Sequence, residues 1–412
     1  MSDLLSAYEP EVGPSVLRQL RQLGSRLSGC KLVHVNSTRV GGGVAEILTW
    51  MVPLMQELGI DASWEVISGP SRFYDITKAI HNGLQGTPVQ LTPKDWGLLR
   101  EVNADWASLH GEKLRNADVV IIHDPQPANL IEFCRRDKSK WIWRAHIDIS
   151  KPYRPVWTEL KSIVQNFDAS IFSLPSFAQP LPHIQYLIPP SIDPLSEKNR
   201  SLPEEELEET ARYYQLDRNR PIVVQVSRFD RFKDPLGVIS AFKLVKKVLP
   251  VQLVLAGGGA ADDPEGVAVY EEVREAAQGD PDIHVLLLPS DAHRTINALQ
   301  RVADIVIQKS TKEGFGLTVT EGMWKGKPVI GGDTGGIRLQ VVDYQTGFLV
   351  STPEGAAHRI RYLCEHSRSR LRMGHIAREF VRENFLLTRH LREYLTLVCA
   401  LTRTGTDRIL YI

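Results

Sequence analysis

The residues best placed to do chemistry together are Glu313 and Glu321, two carboxylates eight positions apart that bracket a Gly314-Phe315-Gly316 turn in the string EGFGLTVTE. From Leu317, the residues Thr318, Val319, Thr320 and Glu321 run on through Met323 and Trp324 as a helix, which Gly326-Lys327-Pro328 ends. A helix start leaves backbone N–H groups unpaired and carries partial positive charge, so the glycine turn would lead a phosphate onto those donors. Glu313 lies ahead of the helix and Glu321 within it. Each can therefore meet a different polyol on either side of the phosphate, as in a sugar joined through a diphosphate to a ribose. The spacing alone suits an ordinary βα turn with a capped helix equally well.

Cations for such an anion stand in the string SRFDRFK, where Arg228 and Lys233 follow an apolar run. An Arg fork and a mobile Lys charge would stabilise negative charge developing on a departing diphosphate; taken alone, the string reads better as a solvated basic loop. The run Gly41-Gly42-Gly43 permits close approach of a ligand to backbone, as does any tight βα turn. It matches no dinucleotide or Walker fingerprint. Gly257-Gly258-Gly259 lacks a third fingerprint glycine, and Gly326-Lys327 lacks a following Ser or Thr. Asp124 and Gln126, in HDPQP, and Arg144, His146 and Asp148, in RAHID, follow two further apolar runs. They suit sugar hydroxyls better than a metal, which needs three or four ligands at fitting geometry. A structural role suits each of them singly just as well.

These groups must be held by elements that repeat as strand and helix. Expected strands cover 31–36, 63–67, 119–122, 141–145 and 169–172, then 222–226, 252–256, 283–287, 305–308 and 328–331. Helices are expected over 16–27, 44–58 and 386–401. Crossovers of this length imply parallel sheets, hence an α/β class with two Rossmann-like halves. Ligands in such sheets lie outside the carboxyl ends of the strands, where nearly all these polar residues fall. The Pro-rich stretch 188–194 marks the connection, giving domains 1–190 and 191–385, with 386–412 a C-terminal helix crossing back to the first. With 49 basic against 49 acidic residues, there is no case for a nucleic-acid surface or a polybasic membrane patch. Four scattered cysteines read as reduced thiols, and no apolar run is long enough to span a bilayer. A cytoplasmic protein is expected.

Together the pieces are more specific than any one. R-x4-K, E-x7-E around GFG, and the Gly335-Gly336 pair resemble the retaining glycosyltransferases of family GT4, with the GT-B fold of two Rossmann-like domains facing a cleft. The strings HVNSTRVGGGVAEIL, HDPQP, WRAHIDIS, PPSIDPLSEKN, QVSRFDRFKD, EGFGLTVTEGMWKGKPVIG and TGFLV resemble, within it, the trehalose glycosyltransferring synthases. The resemblance implies transfer from a nucleoside diphosphate glucose, with uracil, adenine or guanine as base, to free glucose, giving α,α-trehalose reversibly. It implies that Arg228 and Lys233 bind diphosphate, Glu313 the donor sugar and Glu321 the ribose. Gly316, Leu317 and Thr318 then offer backbone donors, His146 lies beside the transferred sugar, and Gly42 and Gly43 form the glycine loop of the first domain. Arg228, Lys233, Glu313 and His146 make up the catalytic set, and Asp124, Gln126, Asp148 and Arg144 the acceptor side.

No cofactor or resident metal is expected, with stimulation by Mg2+ and a homodimer left open. Gly322 stands where the family has Ala, and Arg338 where many members have an acidic residue. Retention by a same-face displacement fits, since no second carboxylate is obviously placed as nucleophile, although double displacement stays open. A phosphorylase and a noncatalytic sugar-nucleotide sensor are the alternatives.

Overall fold

The computed structural model describes residues 3–39, 42–258 and 264–402. The chain divides into two compact units, Met1–Pro190 with Leu387–Ile412, and Ser191–Leu386. The first is built on a six-stranded sheet in the order β2-β1-β3-β4-β5-β6. Its strands are β1 (Lys31–Asn36), β2 (Asp61–Val66), β3 (Val119–His123), β4 (Lys140–Arg144), β5 (Ala169–Phe172) and β6 (Ile184–Leu187). The second unit has the order β12-β11-β10-β7-β8-β9. Its strands are β7 (Ile222–Val226), β8 (Gln252–Gly258), β9 (Ile283–Leu288), β10 (Ile305–Gln308), β11 (Val329–Gly332) and β12 (Gly347–Val350). All pairings are parallel.

Strands covered on both faces need near-continuous apolar runs, and β3 and β7 have them: every residue of each is buried. One core gathers Trp141, Trp143 and Phe172 under the helices of the first unit, and a second gathers Phe242, Leu255 and Phe348 in the other. The expected strands are all present, within a residue or two at their ends. Two were missed, β6 and β12, each of four residues and each at a sheet edge. In β6, Ile184 is 62% and Leu187 49% exposed, so no buried apolar stretch announces it.

Both sheets have a point where the strand order reverses, between β1 and β3 in one and between β7 and β10 in the other. Loops leaving neighbouring strands there diverge and open a crevice. The helix Leu387–Thr402 belongs to the first unit, where it packs on the helices Pro14–Arg26 and Gly42–Glu57. Arg389 on it donates to the carbonyls of Pro189 and Pro190, at 3.0 Å each. No helix among the described residues is long and apolar enough to cross a membrane.

Candidate active site

In the second unit, β7 and β10 lie side by side, so the loops that follow them meet. The β7 loop closes with a short turn, Arg231–Lys233, which Asp230 caps by accepting from the Phe232 N–H at 2.7 Å. Gln225, buried in β7, donates to the Lys233 carbonyl at 2.8 Å and fixes the backbone behind the ammonium. The Lys233 ammonium reaches Glu313 Oε2 at 2.6 Å, and Ser310 donates to the same oxygen at 3.1 Å. The two loops are also stitched by the Thr311 N–H donating to the Phe232 carbonyl at 2.8 Å. Arg228 stands apart: its side chain is 67% exposed and pairs, among the described residues, with Asp230 at 3.5 Å. Behind them Asp234, at φ +51°, accepts from Gly237 N–H at 3.1 Å to start the next helix and pairs with buried Lys309.

The turn after Glu313 is as the residue types require. Gly316 has φ +86° and precedes the helix Leu317–Trp324, whose start carries no side-chain cap; the Val319 N–H donates to the Gly316 carbonyl at 3.0 Å, so the donors a ligand could take there are those of Leu317 and Thr318. Gly316, Leu317 and Thr318 therefore lie at one helix terminus, with Glu313 beside it. Glu321 sits inside the helix at 4% exposure. Gln340 braces the turn by donating to the Phe315 carbonyl at 2.6 Å, and Thr320 donates to its other end at 2.5 Å. The loop after β11 presses from the other side. Gly335, at φ +45°, lies so close that a Cβ there would sit 1.7 Å from the Glu313 carbonyl. Sequence reasoning gave no part to Gln340, Ser310 or Gln225, because isolated amide and hydroxyl residues carry no spacing signal. At Gly322, a Cβ would come within 2.8 Å of Val306 on β10, so glycine here permits close helix-to-strand packing.

In the first unit, Gly42 (φ +79°) and Gly43 begin the helix Gly42–Glu57, two residues earlier than expected, while Gly41 lies outside the described residues. Asn36 at the end of β1 orders the approach, donating to the Thr38 carbonyl at 2.7 Å and accepting from Trp64 at 2.8 Å. Asp124, leaving β3 at φ +64°, accepts the His146 backbone N–H at 2.8 Å. Burial pushes Asp124 up to about 6, with that N–H and Arg144 acting the other way. His146 continues into a stacked row, its Nε2 lying 2.9 Å from His123 Nδ1, while His123 Nε2 lies 3.0 Å from His34 Nδ1. Burial, its largest cause, holds all three well below the usual histidine range, to about 3 for His34.

Arg144 is fully buried and donates to Ser173 at 3.1 Å, so its guanidinium works inside the fold beneath Asp124. Burial opposes its charge; Tyr394, Asp124 and Glu393 support it. Gln126 is half-buried, and its backbone carbonyl accepts from the Asn103 side chain at 3.0 Å. Asp148 accepts from Ser150 N–H at 2.9 Å, a local turn. The C-terminal helix adds His390 and Tyr394 beside the histidine row, which the sequence did not suggest. No His, Cys, Asp and Glu cluster among the described residues could hold a metal ion.

Comparison with known proteins gives the family. The family described as "Trehalose synthase, N-terminal domain" matches residues 34–179, and "Glycosyl transferases group 1" matches 208–380. The trehalose synthase of Pyrococcus horikoshii is 44% identical over 402 residues, covering 96% of each chain. That of Rubrobacter xylanophilus is 40% identical over 405 residues, covering 96% of this chain and 97% of the relative. Among solved structures, an α,α-trehalose-phosphate synthase of Burkholderia xenovorans in complex with glucose-6-phosphate aligns at a TM-score of 0.70. It is 15% identical over 89% of this chain and 99% of that one, a likeness of fold, here GT-B. Matched along nearly its whole length by these relatives and by both family descriptions, the chain belongs to the trehalose synthase family of glycosyltransferases.

Proposed function

We propose that this protein transfers glucose from a nucleoside diphosphate glucose to free glucose, giving α,α-trehalose and the nucleoside diphosphate, reversibly and with retention at the anomeric carbon. The observation that carries the reading is the convergence of Lys233, Glu313 and the uncapped start of Leu317–Trp324 at the β7/β10 switch point. That group suits a pyrophosphate flanked by hydroxyl-bearing rings. Arg228, exposed beside it, closes on the same phosphates, and Glu321 serves the ribose.

In a same-face transfer, the bond from the anomeric carbon to the β-phosphate oxygen breaks while the acceptor oxygen bonds that carbon. The departing phosphate oxygen takes the acceptor proton. The protein's part is to hold the two reactants in line and to stabilise charge on the leaving group with Lys233, Arg228 and the helix N–H groups. No resident cofactor enters this scheme. On the acceptor side, His146 and Asp124 meet sugar hydroxyls.

The test is nucleotide release from UDP-, ADP- and GDP-glucose, each with and without free glucose, with the disaccharide linkage read by NMR. An α,β linkage, a reducing disaccharide, or no product with any donor rejects the proposal. Trehalose cleavage by orthophosphate without nucleoside diphosphate would mark a phosphorylase instead.

A further inference from the structure

The row His34–His123–His146 has only two consistent proton arrangements. In one, each ring carries its proton on Nδ1, so His34 donates to His123 Nε2 and His123 donates to His146 Nε2. In the other, every proton sits on Nε2 and the donations run the opposite way. What decides between them is the far end of the row: Nε2 of His34 is buried without a hydrogen-bond partner among the described residues. The first arrangement leaves a lone pair there; the second would leave an N–H. Orphaned buried N–H groups are rarer and more costly than under-used acceptors.

Burial, with neighbouring charges adding to it at His123 and His146, keeps the row uncharged, so tautomer rather than charge is the variable. Arg144 on β4 works against a proton on His123 and His146, and His390 on the C-terminal helix works against one on His146. Tyr394 lies over His34, with ring centroids 6.1 Å apart. Asp124 spends one oxygen on the His146 backbone rather than on a ring. His34 and His123 are buried at 0% and 3% exposure, whereas His146 is only half-buried, so the row starts in the core and ends at the surface where polar ligands arrive.

We infer that His123, backed by His34, is a positioning residue that holds His146 in the Nδ1–H tautomer, so that His146 presents a fixed N–H donor to a hydroxyl of the transferred sugar. The sugar rests on the function proposed above; the tautomer does not. A free histidine side chain in water favours Nε2–H, so the buried row reverses an intrinsic preference. The nitrogen that bears the proton is set by the bond the other nitrogen makes.

The experiment is long-range 1H–15N correlation on the full chain with labelled histidine at neutral pH, the His146 signals being assigned by their loss in His146→Gln. Expected is a protonated Nδ1 and a bare Nε2 in the wild type. In His123→Leu, His146 should drift toward Nε2–H, and kcat should fall roughly ten- to hundredfold, by analogy with removal of the groups that orient metal-bound histidines. KM for the donor should change little. His34→Leu should loosen the tautomer less, since His123 keeps its bond to His146. A wild-type His146 protonated on Nε2 overturns the inference, whatever the kinetics. So does a His123→Leu protein with unchanged tautomer and kcat. The spectra need no substrate, so failure of glucose transfer with an Nδ1–H His146 would overturn the proposed function and leave the tautomer assignment standing.

Discussion

Lys233 and Glu313 are 80 residues apart in the chain and 2.6 Å apart in space, in a pair whose side chains are 18% and 9% exposed. A carboxylate this buried needs its partner, and removing one member of a buried pair costs about 3 kcal/mol or more. An ammonium has three donors. Lys233 can therefore keep Glu313 and still offer donors to phosphate oxygens, so the proposed donor site would share this pair with the stability of the unit that carries it.

Lys233→Ala should do two separable things. Turnover should fall on the order of 10²-fold, as when one preorganised donor to a developing anion is lost. Denaturation should also shift by about 3 kcal/mol. Adding Glu313→Gln should restore much of the stability and none of the turnover. If the double variant were as unstable as Lys233→Ala, the pair would not be what holds these loops together. Arg228→Ala, exposed and loosely paired, should lower turnover with no change in melting.

The two glutamates should separate in binding. Glu321→Ala should weaken free nucleoside diphosphate by roughly 1.5 to 3 kcal/mol, the worth of a charged hydrogen bond. Glu313→Ala should leave that affinity intact or raise it, since Lys233 is released to the phosphates, while transfer slows because the glucose is held less firmly in line. Calorimetric titration of nucleoside diphosphate into both variants decides this; the opposite pattern would exchange their roles.

Gly322→Ala would gain about 1 kcal/mol of helix propensity. Its Cβ, however, would come within 2.8 Å of Val306 Cγ2, on a β10 side chain with nowhere to move in a buried sheet. The expected result is net destabilisation by about 1 to 3 kcal/mol, typical of overpacking. Val306→Ala in the same chain should lower that cost, because the two Val306 methyl contacts at 2.8 and 3.0 Å are removed and the Cβ contact at 3.1 Å stays. A more stable Gly322→Ala single variant would contradict this packing argument.

What the sequence revealed and what it hid divide by range. The Glu313 to Glu321 string is local: glycine turn, helix start and carboxylates are neighbours in the chain, and the structure keeps them so. Strands such as β3 and β7 are legible because burial on both faces demands unbroken apolar runs. The Lys233–Glu313 pair was not legible, because it depends on β10 lying beside β7, an order set by the reversal of the sheet. Gly335 was part of a recognised glycine pair, yet its reason, the Glu313 carbonyl pressed against it, exists only once β11 is placed next to β10. His390 and Tyr394 enter the histidine row on a helix more than 200 residues away in sequence from Arg144 and His146.

Stability should depend on pH through Lys325, which lies one helical turn beyond Glu321. It is 7% exposed, donating to Asn199 Oδ1 at 3.1 Å and to the Glu321 carbonyl at 3.2 Å. Burial lowers it from the ordinary 10.5 to about 7, with the Glu321 charge pulling the other way. Between those two values the unfolded chain holds a proton that the folded chain has released. Stability rises with pH wherever the unfolded state binds more protons. The penalty of the buried ammonium is thus complete below about pH 7 and fades as pH climbs toward 10.5. Lys327, lowered by burial to about 8, adds to the same slope, whereas Cys364, raised by burial to about 11, opposes it above its ordinary value of 9.0. Comparison with Lys325→Met removes these shared contributions. Urea midpoints measured from about pH 7 to about pH 10 should rise more steeply in the wild type than in Lys325→Met, the interval being that of the displaced titration. Equal slopes would mean that Lys325 titrates alike in both states, and that the group under Glu321 stays charged throughout.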